Sequence, residues 1–277
     1  MCERETGNMK TMWAPSLRCL AIELTNNCTF KCAKCWSQSP NLFPARPKGY
    51  MTAELFYKIL DEVKHDSHFK KAGMAVAPSY GGEAMLHPRF EEFSRALANS
   101  GFEQVQIATN GTQLNTHNDE VLLKYYTSIA VSVHKQPGMW RTLQKARELY
   151  KRRKGKSPPI RLNIVAEEFT QNDFNDIAVK MRGWCDGAKI ISYISEDLKM
   201  AGGRKPDGQP CLSMSTYLGV MWNGETVPCC HILNPGEWSL GNVAKTSLKD
   251  VFFGQTYNKL RNGFMQDTLC EKCEVRR

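Results

Sequence analysis

The chain has 277 residues, a formal net charge of +9 and eleven cysteines. This length is enough for one large α/β domain, and 42% apolar with 23% charged residues excludes a disordered, collagenous or heptad-built chain. No segment approaches the ~20 consecutive apolar residues of a membrane-spanning helix, and the first ten residues, MCERETGNMK, lack the apolar run of a secretory signal. The sequence therefore predicts a globular cytoplasmic protein.

Eleven cysteines are unexpected in a reducing cytosol, where thiols seldom pair and cysteine-rich proteins more often bind metal. Most of the cysteines fall into two groups, one at positions 28, 32 and 35 and one at positions 211, 229, 230, 270 and 273. Two metal sites are the first hypothesis. The positive charge alone is also compatible with an acidic partner such as nucleic acid.

Short apolar runs alternate with segments of helical period over residues 18–195. The apolar runs predict strands at 19–24, 74–79, 104–109, 129–133, 160–166 and 188–194. The other segments predict one helix capped by Thr52 and further helices near 89–99, 118–126, 139–152 and 172–182. This alternation indicates parallel strands with right-handed crossovers, either in a partial barrel or in a doubly wound open sheet.

In both folds the loops that leave the carboxyl ends of the strands form the active site. The first predicted strand leads directly into residues 26–36, which hold the first cysteine group. The basic run KRRKGK at 151–156 precedes a strand and so lies on the far side. We interpret this run as a solvated helix end and not as a nucleic-acid surface.

The last part of the chain has a different pattern. Residues 199–210 are rich in glycine and proline and predict a linker. Two apolar runs within 217–229 flank Asn223-Gly224 and predict a β-hairpin, and residues 247–262 predict a helix. The expected organisation is an N-terminal extension, a main domain, a linker and a small C-terminal domain, over 1–17, 18–198, 199–210 and 211–277.

The first cysteine group reads CTFKCAKC, over residues 28–35. A structural zinc site needs four protein ligands and has no open position. Three thiolates on a tight loop instead suit a 4Fe-4S cluster with one iron left for an outside ligand. The alternatives are a zinc site completed by a distant residue and reduced core cysteines without a metal.

This spacing, after the first strand of such a unit, resembles the radical SAM superfamily. The resemblance implies a partial (β/α)6 TIM-like barrel followed by a small twitch/SPASM-like α+β domain with a hairpin and a helix. It implies that Cys28, Cys32 and Cys35 ligate a 4Fe-4S cluster. The open iron would bind S-adenosylmethionine, which one electron cleaves to a 5′-deoxyadenosyl radical.

The same resemblance implies residues that bind S-adenosylmethionine. The run Ser79 to Glu83 is similar to the GGE segment of the family, and Thr109 to Gly111 is similar to a TNG element. Lys34 stands where the family usually has an aromatic residue, so Trp36 is the substitute, and Ala84 stands where proline often follows GGE. The implied cofactor residues are Trp36, Gly81, Gly82, Glu83, Asn110, Ser132 and Asn163. For Ser132 and Asn163 an ordinary place in a strand is the alternative.

The second cysteine group resembles the SPASM/twitch extension of radical SAM enzymes. Cys211, Cys229, Cys270 and Cys273 would ligate a second 4Fe-4S cluster completely, which leaves no open iron. Zinc is the alternative, since four cysteines also form a zinc site. Cys230 could replace Cys229 as a ligand or remain a spare thiol, because neighbouring side chains of an extended strand point in opposite directions.

Two reactions are consistent with this resemblance. The first is oxidation of a small natural-product or sugar-like substrate, similar to the butirosin-type twitch dehydrogenase, with the second cluster accepting an electron and His134 as a candidate base. The second is modification of a ribosomal peptide by crosslinking or epimerisation, in which Cys230 would return a hydrogen atom. An electron-transfer or zinc-binding protein is a distant third, because it leaves Gly81-Gly82-Glu83 unexplained.

The charge has a simpler explanation on this basis. Two clusters held by seven thiolates lower the formal charge from +9 to about +6. We therefore expect neither a nucleic acid nor a membrane as partner. The expected partners are the small-molecule or peptide substrate and an electron donor such as flavodoxin or ferredoxin.

Overall fold

A computed structural model describes residues 15–32, 35, 37–38, 46–69, 73–165, 169–191, 212–230, 232 and 235–263. Several predictions lie outside these residues. They concern Trp36, the linker 199–210, and three of the four expected ligands of the second cluster, Cys211, Cys270 and Cys273.

The first six strands confirm the predicted alternation. They are β1 (Cys19–Ile22), β2 (Ala75–Ala77), β3 (Gln104–Thr109), β4 (Ser128–Val133), β5 (Ile160–Val165) and β6 (Ala188–Ile191). Each strand pairs in parallel with the next, so their order in the sheet is their order in the chain. A doubly wound sheet reverses its order at a switch point. The sequential order therefore identifies the open partial barrel.

The connecting helices begin and end close to the predicted residues. They are α1 (Ala53–His65), α2 (Phe90–Ala98), α3 (Thr116–Tyr125), α4 (Met139–Arg152) and α5 (Gln171–Lys180). The Thr52 side chain accepts a hydrogen bond from the Leu55 backbone and caps α1 as expected. Among the described residues, no helix is long and apolar enough to cross a membrane.

The two faces of the barrel sheet differ in side-chain size. On β4, Ile129, Val131 and Val133 are buried in the main core, whereas Ala130 and Ser132 point to the other face. That second face carries short or polar side chains along β3 to β5: Gln104, Gln106, Ala108, Ser128, Ala130, Ser132, Arg161 and Asn163. Bulky branched residues fill this side of a closed TIM barrel. Here short or polar side chains take the place of bulky ones, which leaves space inside the partial barrel.

The C-terminal hairpin continues the barrel sheet. After α6 (Leu212–Thr216), strand β7 (Tyr217–Val220) pairs in parallel with β1, and β8 (Glu225–Val227) and β9 (Gly241–Asn242) follow in antiparallel order. Among the described residues the sheet therefore has nine strands. Gly224 closes the predicted turn with a φ of +87°, a conformation that favours glycine.

The helix predicted over 247–262 is two helices, α7 (Leu248–Phe252) and α8 (Gln255–Gly263). The break falls at Gly254, where an added Cβ would lie 2.0 Å from the Asp250 carbonyl oxygen. Only glycine fits so close to that carbonyl, so the prediction of one continuous helix was wrong at this residue.

Candidate functional site

A cavity of about 200 Å³ lies at the carboxyl ends of β1 to β4. The structure brings most of the predicted site residues to its wall: Cys28, Cys32, Cys35, Gly81, Gly82, Glu83, Asn110, Ser132 and His134. Asn163 is half-buried on β5, where it pairs with Ser132 of β4. The cavity therefore joins the cysteine loop (residues 26–38) to the glycine loop (residues 79–83) and to the ends of β3 and β4.

The three thiols of the cysteine loop line one wall of the cavity, with Cys32 buried and Cys28 and Cys35 half-buried. Cys32 is only 4% exposed, and the Cys35 backbone N–H donates to its carbonyl oxygen at 3.0 Å. Burial raises the pKa of Cys28, a backbone hydrogen bond from Phe30 opposes this, and nearby negative charges that include the other two thiols add to the rise. Burial is also the largest cause of the raised pKa of Cys35.

These thiols fit a metal cluster by their chemistry. A metal binds the thiolate form, and a bound cation deprotonates a coordinating thiol. Its positive charge would also offset the cost of placing several thiolates in one buried wall. Among the described residues, no three His, Cys, Asp or Glu side chains are close enough together to hold a single metal ion.

The two glycines of the glycine loop allow it to pack against the chain that follows β1. A Cβ added to Gly81 would lie 2.2 Å from Glu23 Oε1, and one added to Gly82 would lie 2.4 Å from the Thr25 carbonyl oxygen. The family resemblance assigned both glycines to the binding of S-adenosylmethionine. The structure gives a further reason for glycine at both positions, because a side chain there would collide with Glu23 or with the Thr25 backbone.

Glu83 uses its carboxylate inside the protein. The side chain is buried and accepts hydrogen bonds from the Asn110 backbone (2.8 Å), the Thr109 hydroxyl (3.0 Å) and the Met85 backbone (3.4 Å). Burial raises the pKa of Glu83 to about 7, although these three hydrogen bonds lower it. Glu83 therefore holds the end of β3 in place, a role that the sequence did not predict.

Asn110 and His134 both lie against cysteine sulfurs. The Asn110 side chain donates from Nδ2 to Cys28 Sγ at 3.4 Å. The His134 Nδ1 atom lies 3.7 Å from Cys32 Sγ, and its ring meets the Phe30 ring edge-on with centroids 5.6 Å apart. The sequence assigned Asn110 to the cofactor and His134 to proton transfer. Neither contact with sulfur was predicted.

A buried ion pair ties the chain that follows β1 to the hairpin. Glu23, which follows β1, is fully buried and accepts from both terminal nitrogens of Arg46 at 2.6 and 3.1 Å. The Trp222 backbone at the hairpin turn also donates to Glu23 at 3.3 Å. The sequence does not predict this pair, because a single acidic residue after a strand forms no recognisable pattern.

Cys229 and Cys230, the described residues of the second cysteine group, lie at the other end of the strands. Tyr217, the first residue of β7, pairs with Cys19, the first residue of β1. The Tyr257 hydroxyl donates to the carbonyl oxygens of Tyr217 (2.7 Å) and Pro228 (3.2 Å), which places Cys229 beside the amino ends of both strands. Cys229 is half-buried and Cys230 is exposed. Burial, with a contribution from Cys230, raises the pKa of Cys19 to about 11.

Tyr80 of the glycine loop spans the distance between the two ends. Its hydroxyl donates to the carbonyl oxygens of Cys229, at 2.9 Å, and of Ile232. Its ring lies over Gly219 of β7, where an added Cβ would be 3.3 Å from Tyr80 Cζ. The position directly before Gly81-Gly82 is the one signal in the sequence that singles out this residue.

Comparisons with known proteins agree with this architecture. Residues 211–274 match the SPASM family, an iron-sulfur cluster-binding domain. The tungsten-containing aldehyde ferredoxin oxidoreductase cofactor-modifying protein of Pyrococcus furiosus is 23% identical over 88% of this chain and 83% of its own length. AlbA, the antilisterial bacteriocin subtilosin biosynthesis protein of Bacillus subtilis, is 24% identical over 91% of this chain and 64% of its own length.

Solved structures share the fold. BtrN in complex with AdoMet and 2-DOIA has a TM-score of 0.62 at 15% identity and covers 90% of this chain and 87% of BtrN. Streptococcus suis SuiB bound to its precursor peptide SuiA has a TM-score of 0.67 at 16% identity and covers 90% of this chain and 67% of SuiB.

The fold and the cysteine loop define the partial barrel of the radical SAM enzymes. Together with the C-terminal match, they show that the chain is a radical SAM enzyme with a SPASM domain. This family binds iron-sulfur clusters and S-adenosylmethionine.

Proposed function

We propose that this enzyme cleaves S-adenosylmethionine reductively at a 4Fe-4S cluster held by Cys28, Cys32 and Cys35 and removes a hydrogen atom from its substrate. When bound, the cluster and S-adenosylmethionine supply a 5′-deoxyadenosyl radical. One observation carries the proposal: three thiols of a C-x3-C-x2-C loop line the same cavity as the glycine loop, at the carboxyl ends of parallel strands.

The cofactor would lie against the glycine loop and the ends of β4 and β5. The backbone of Gly81 and Gly82 lines the cavity, and Ser132 and Asn163 are paired on neighbouring strands. Because the Glu83 carboxylate is occupied by three hydrogen bonds, we assign it to positioning the end of β3. Trp36, the aromatic residue directly after Cys35 in the sequence, is our candidate for a contact with the adenine of the cofactor.

A second cluster would be bound by Cys211, Cys229, Cys270 and Cys273. All four residues fall within the SPASM match, and Cys229 lies at the end of the barrel opposite the cysteine loop. A fully ligated cluster at that end would accept an electron from a substrate radical held between the two sites. A flavodoxin or a ferredoxin would supply the electron for the first cluster.

For the substrate we propose a small polar molecule that undergoes a net two-electron oxidation. The barrel face along β3 to β5 carries short and polar side chains, which suits hydroxyl or amino groups better than a large apolar substrate. BtrN, whose structure contains 2-DOIA, matches this fold over most of both chains. A base role for His134 would use its Nε2 atom, since Nδ1 faces Cys32.

The experiment is anaerobic reconstitution of the full chain with iron and sulfide, followed by reduction in the presence of S-adenosylmethionine. We expect iron for two cubane clusters and release of 5′-deoxyadenosine. The C28A/C32A/C35A variant should lose part of the iron and all of the cleavage. Cys185→Ala is the matched control, because Cys185 packs against the main core away from the cavity. Zinc in place of iron, or cleavage by the triple variant, would refute the proposal.

Peptide modification is the second candidate, because AlbA and the peptide-bound SuiB resemble most of this chain. Transfer of deuterium separates the two candidates. The enzyme would be incubated with deuterated amino sugars or with deuterated short peptides, and 5′-deoxyadenosine would be examined by mass spectrometry. Label from the amino sugars supports oxidation, and label from peptides alone supports peptide modification. In the latter case the Cys230→Ala variant tests whether Cys230 returns hydrogen to the product.

A further inference from the structure

Two side chains from different strands approach the sulfur atoms of the cysteine loop. Asn110, directly after β3, donates from Nδ2 to Cys28 Sγ at 3.4 Å. His134, directly after β4, places Nδ1 3.7 Å from Cys32 Sγ. Both distances are within the reach of a hydrogen bond to sulfur.

The orientation of the Asn110 amide follows from its other partners. Its Oδ1 atom accepts a hydrogen bond from the Thr112 backbone N–H at 3.0 Å. A backbone N–H only donates, so the oxygen must face Thr112 and the NH2 group must face Cys28 and the Thr29 hydroxyl. The turn that allows this contains Gly111, with a φ of +73°.

Glu83 holds this amide in place from behind. It accepts the Asn110 backbone N–H at 2.8 Å and the Thr109 hydroxyl at 3.0 Å, and it is buried. The end of β3 therefore has little freedom to move Asn110 away from the sulfur.

His134 must donate when Cys32 is a ligand. A metal-bound thiolate carries no proton, so a hydrogen bond between these atoms requires the proton on Nδ1. The edge-on contact with Phe30 restricts the rotation of the ring.

We propose that Asn110 and His134 donate hydrogen bonds to the ligand sulfurs of Cys28 and Cys32 and raise the reduction potential of the first cluster. Hydrogen bonds to the sulfurs of a cluster tune its potential, and donors stabilise the more negative, reduced form. This role deepens the proposed function and rests on it. Asn110 would therefore stabilise negative charge on the cluster and would not contact S-adenosylmethionine directly.

The test is a redox titration of the reconstituted full chain, followed by EPR without S-adenosylmethionine. The signal of the first cluster is identified separately by its change when S-adenosylmethionine is added. The variants are Asn110→Ala and His134→Phe, the second of which keeps an aromatic ring against Phe30. Thr112→Ser is the matched control, because it changes the same turn and keeps both the hydroxyl and the backbone N–H that donate to Asn110 Oδ1.

We expect each of the two variants to lower the midpoint potential by roughly 59 mV, a tenfold fall in the equilibrium constant of one-electron reduction. The Thr112→Ser variant should show the potential of the parent enzyme. If Asn110→Ala takes up too little iron, His134→Phe decides, because it acts from another strand. Full iron content with an unchanged potential in these variants would overturn this inference and leave the proposed function intact. A parent enzyme without the first cluster would overturn both.

Discussion

The described residues of the two cysteine groups lie at opposite ends of the same strands and are held in different ways. Cys28, Cys32 and Cys35 lie at the carboxyl ends, where the glycine loop, Asn110 and His134 surround them. Cys229 lies at the amino ends of β1 and β7, and its carbonyl oxygen accepts hydrogen bonds from the Tyr80 hydroxyl and the Ile232 backbone.

The difference indicates how one sheet would carry the two clusters that we propose. The first site is formed by loops that leave successive strands, the usual location of an active site in a barrel. The second is attached because β7 pairs with β1 and carries the hairpin alongside the barrel. A substrate between the two ends would lie within reach of both proposed clusters. Tyr80 connects the glycine loop to Cys229, and Glu23 connects the chain that follows β1 to the hairpin turn.

The largest expected effect comes from the link at Glu23. In Arg46→Ala the fully buried Glu23 carboxylate loses its ionic partner, so we expect a loss of about 3–5 kcal/mol in the free energy of unfolding. Urea denaturation of the anaerobic apoprotein measures this loss. Arg89→Ala removes the exposed pair with Glu92 and should change stability little. A loss of stability in Arg46→Ala that is as small as the loss in Arg89→Ala would show that the buried pair does not hold the hairpin to the chain that follows β1.

Glu83, beside the first cysteine group, should also make the free energy of unfolding depend on pH. Its folded pKa of about 7 lies above the ordinary value of 4.5, so the folded chain binds more protons than the unfolded chain between these two values. The free energy of unfolding should therefore fall as pH rises from 4.5 to about 7, by roughly 3 kcal/mol in total, and this contribution should then level off. Glu83→Gln should flatten the fall in urea titrations of the apoprotein, and an unaltered slope would argue against a buried carboxyl.

Gly82→Ala tests the packing of the glycine loop beside the first cysteine group alone. The added Cβ would meet the Thr25 carbonyl oxygen at 2.4 Å, so the loops must separate, at a cost of about 1–3 kcal/mol. We expect weaker iron binding at the first cluster, measured by iron content and EPR. Gly155→Ala is the control, since its Cβ contacts nothing within 4 Å and only its φ of +74° is strained. Normal iron content in Gly82→Ala would contradict the packing argument.

Tyr80→Phe should have the smallest effect on stability. It tests the contact between the glycine loop and Cys229. It removes the hydroxyl that donates to Cys229 and Ile232, at a net cost of about 1 kcal/mol. We expect the second cluster to lose iron to a chelator faster, while the first cluster keeps its EPR signal. Tyr57→Phe removes an exposed hydroxyl that bonds Glu92 and should leave both clusters as they are. Faster loss from the first cluster would mean that Tyr80 does not support the second region.

The sequence predicts the strands and helices well because their apolar periods are strong. β3 and α4 begin and end at the predicted residues, and Thr52 caps α1. The order of the strands does not follow from periodicity, since it depends on pairing between distant segments. The pairing of β7 with β1 is a contact of this kind.

The site shows the same division. The cysteine spacing and Gly81-Gly82-Glu83 are local motifs, and the sequence brings them to the correct loops. The contacts of Asn110 with Cys28, of Tyr80 with Cys229 and of Glu23 with Arg46 depend on side-chain directions in folded loops. No spacing in the chain encodes them, so the sequence assigned Asn110 to a ligand and missed Tyr80 and Glu23.

The central claim is that only the cysteine loop presents an open iron. The most direct test compares the EPR spectrum of the reduced, reconstituted protein before and after addition of S-adenosylmethionine, in Cys229→Ala and in Cys32→Ala. The account predicts that the cofactor changes the spectrum of Cys229→Ala and leaves that of Cys32→Ala unaltered. A cofactor-dependent change that persists in Cys32→Ala would contradict it.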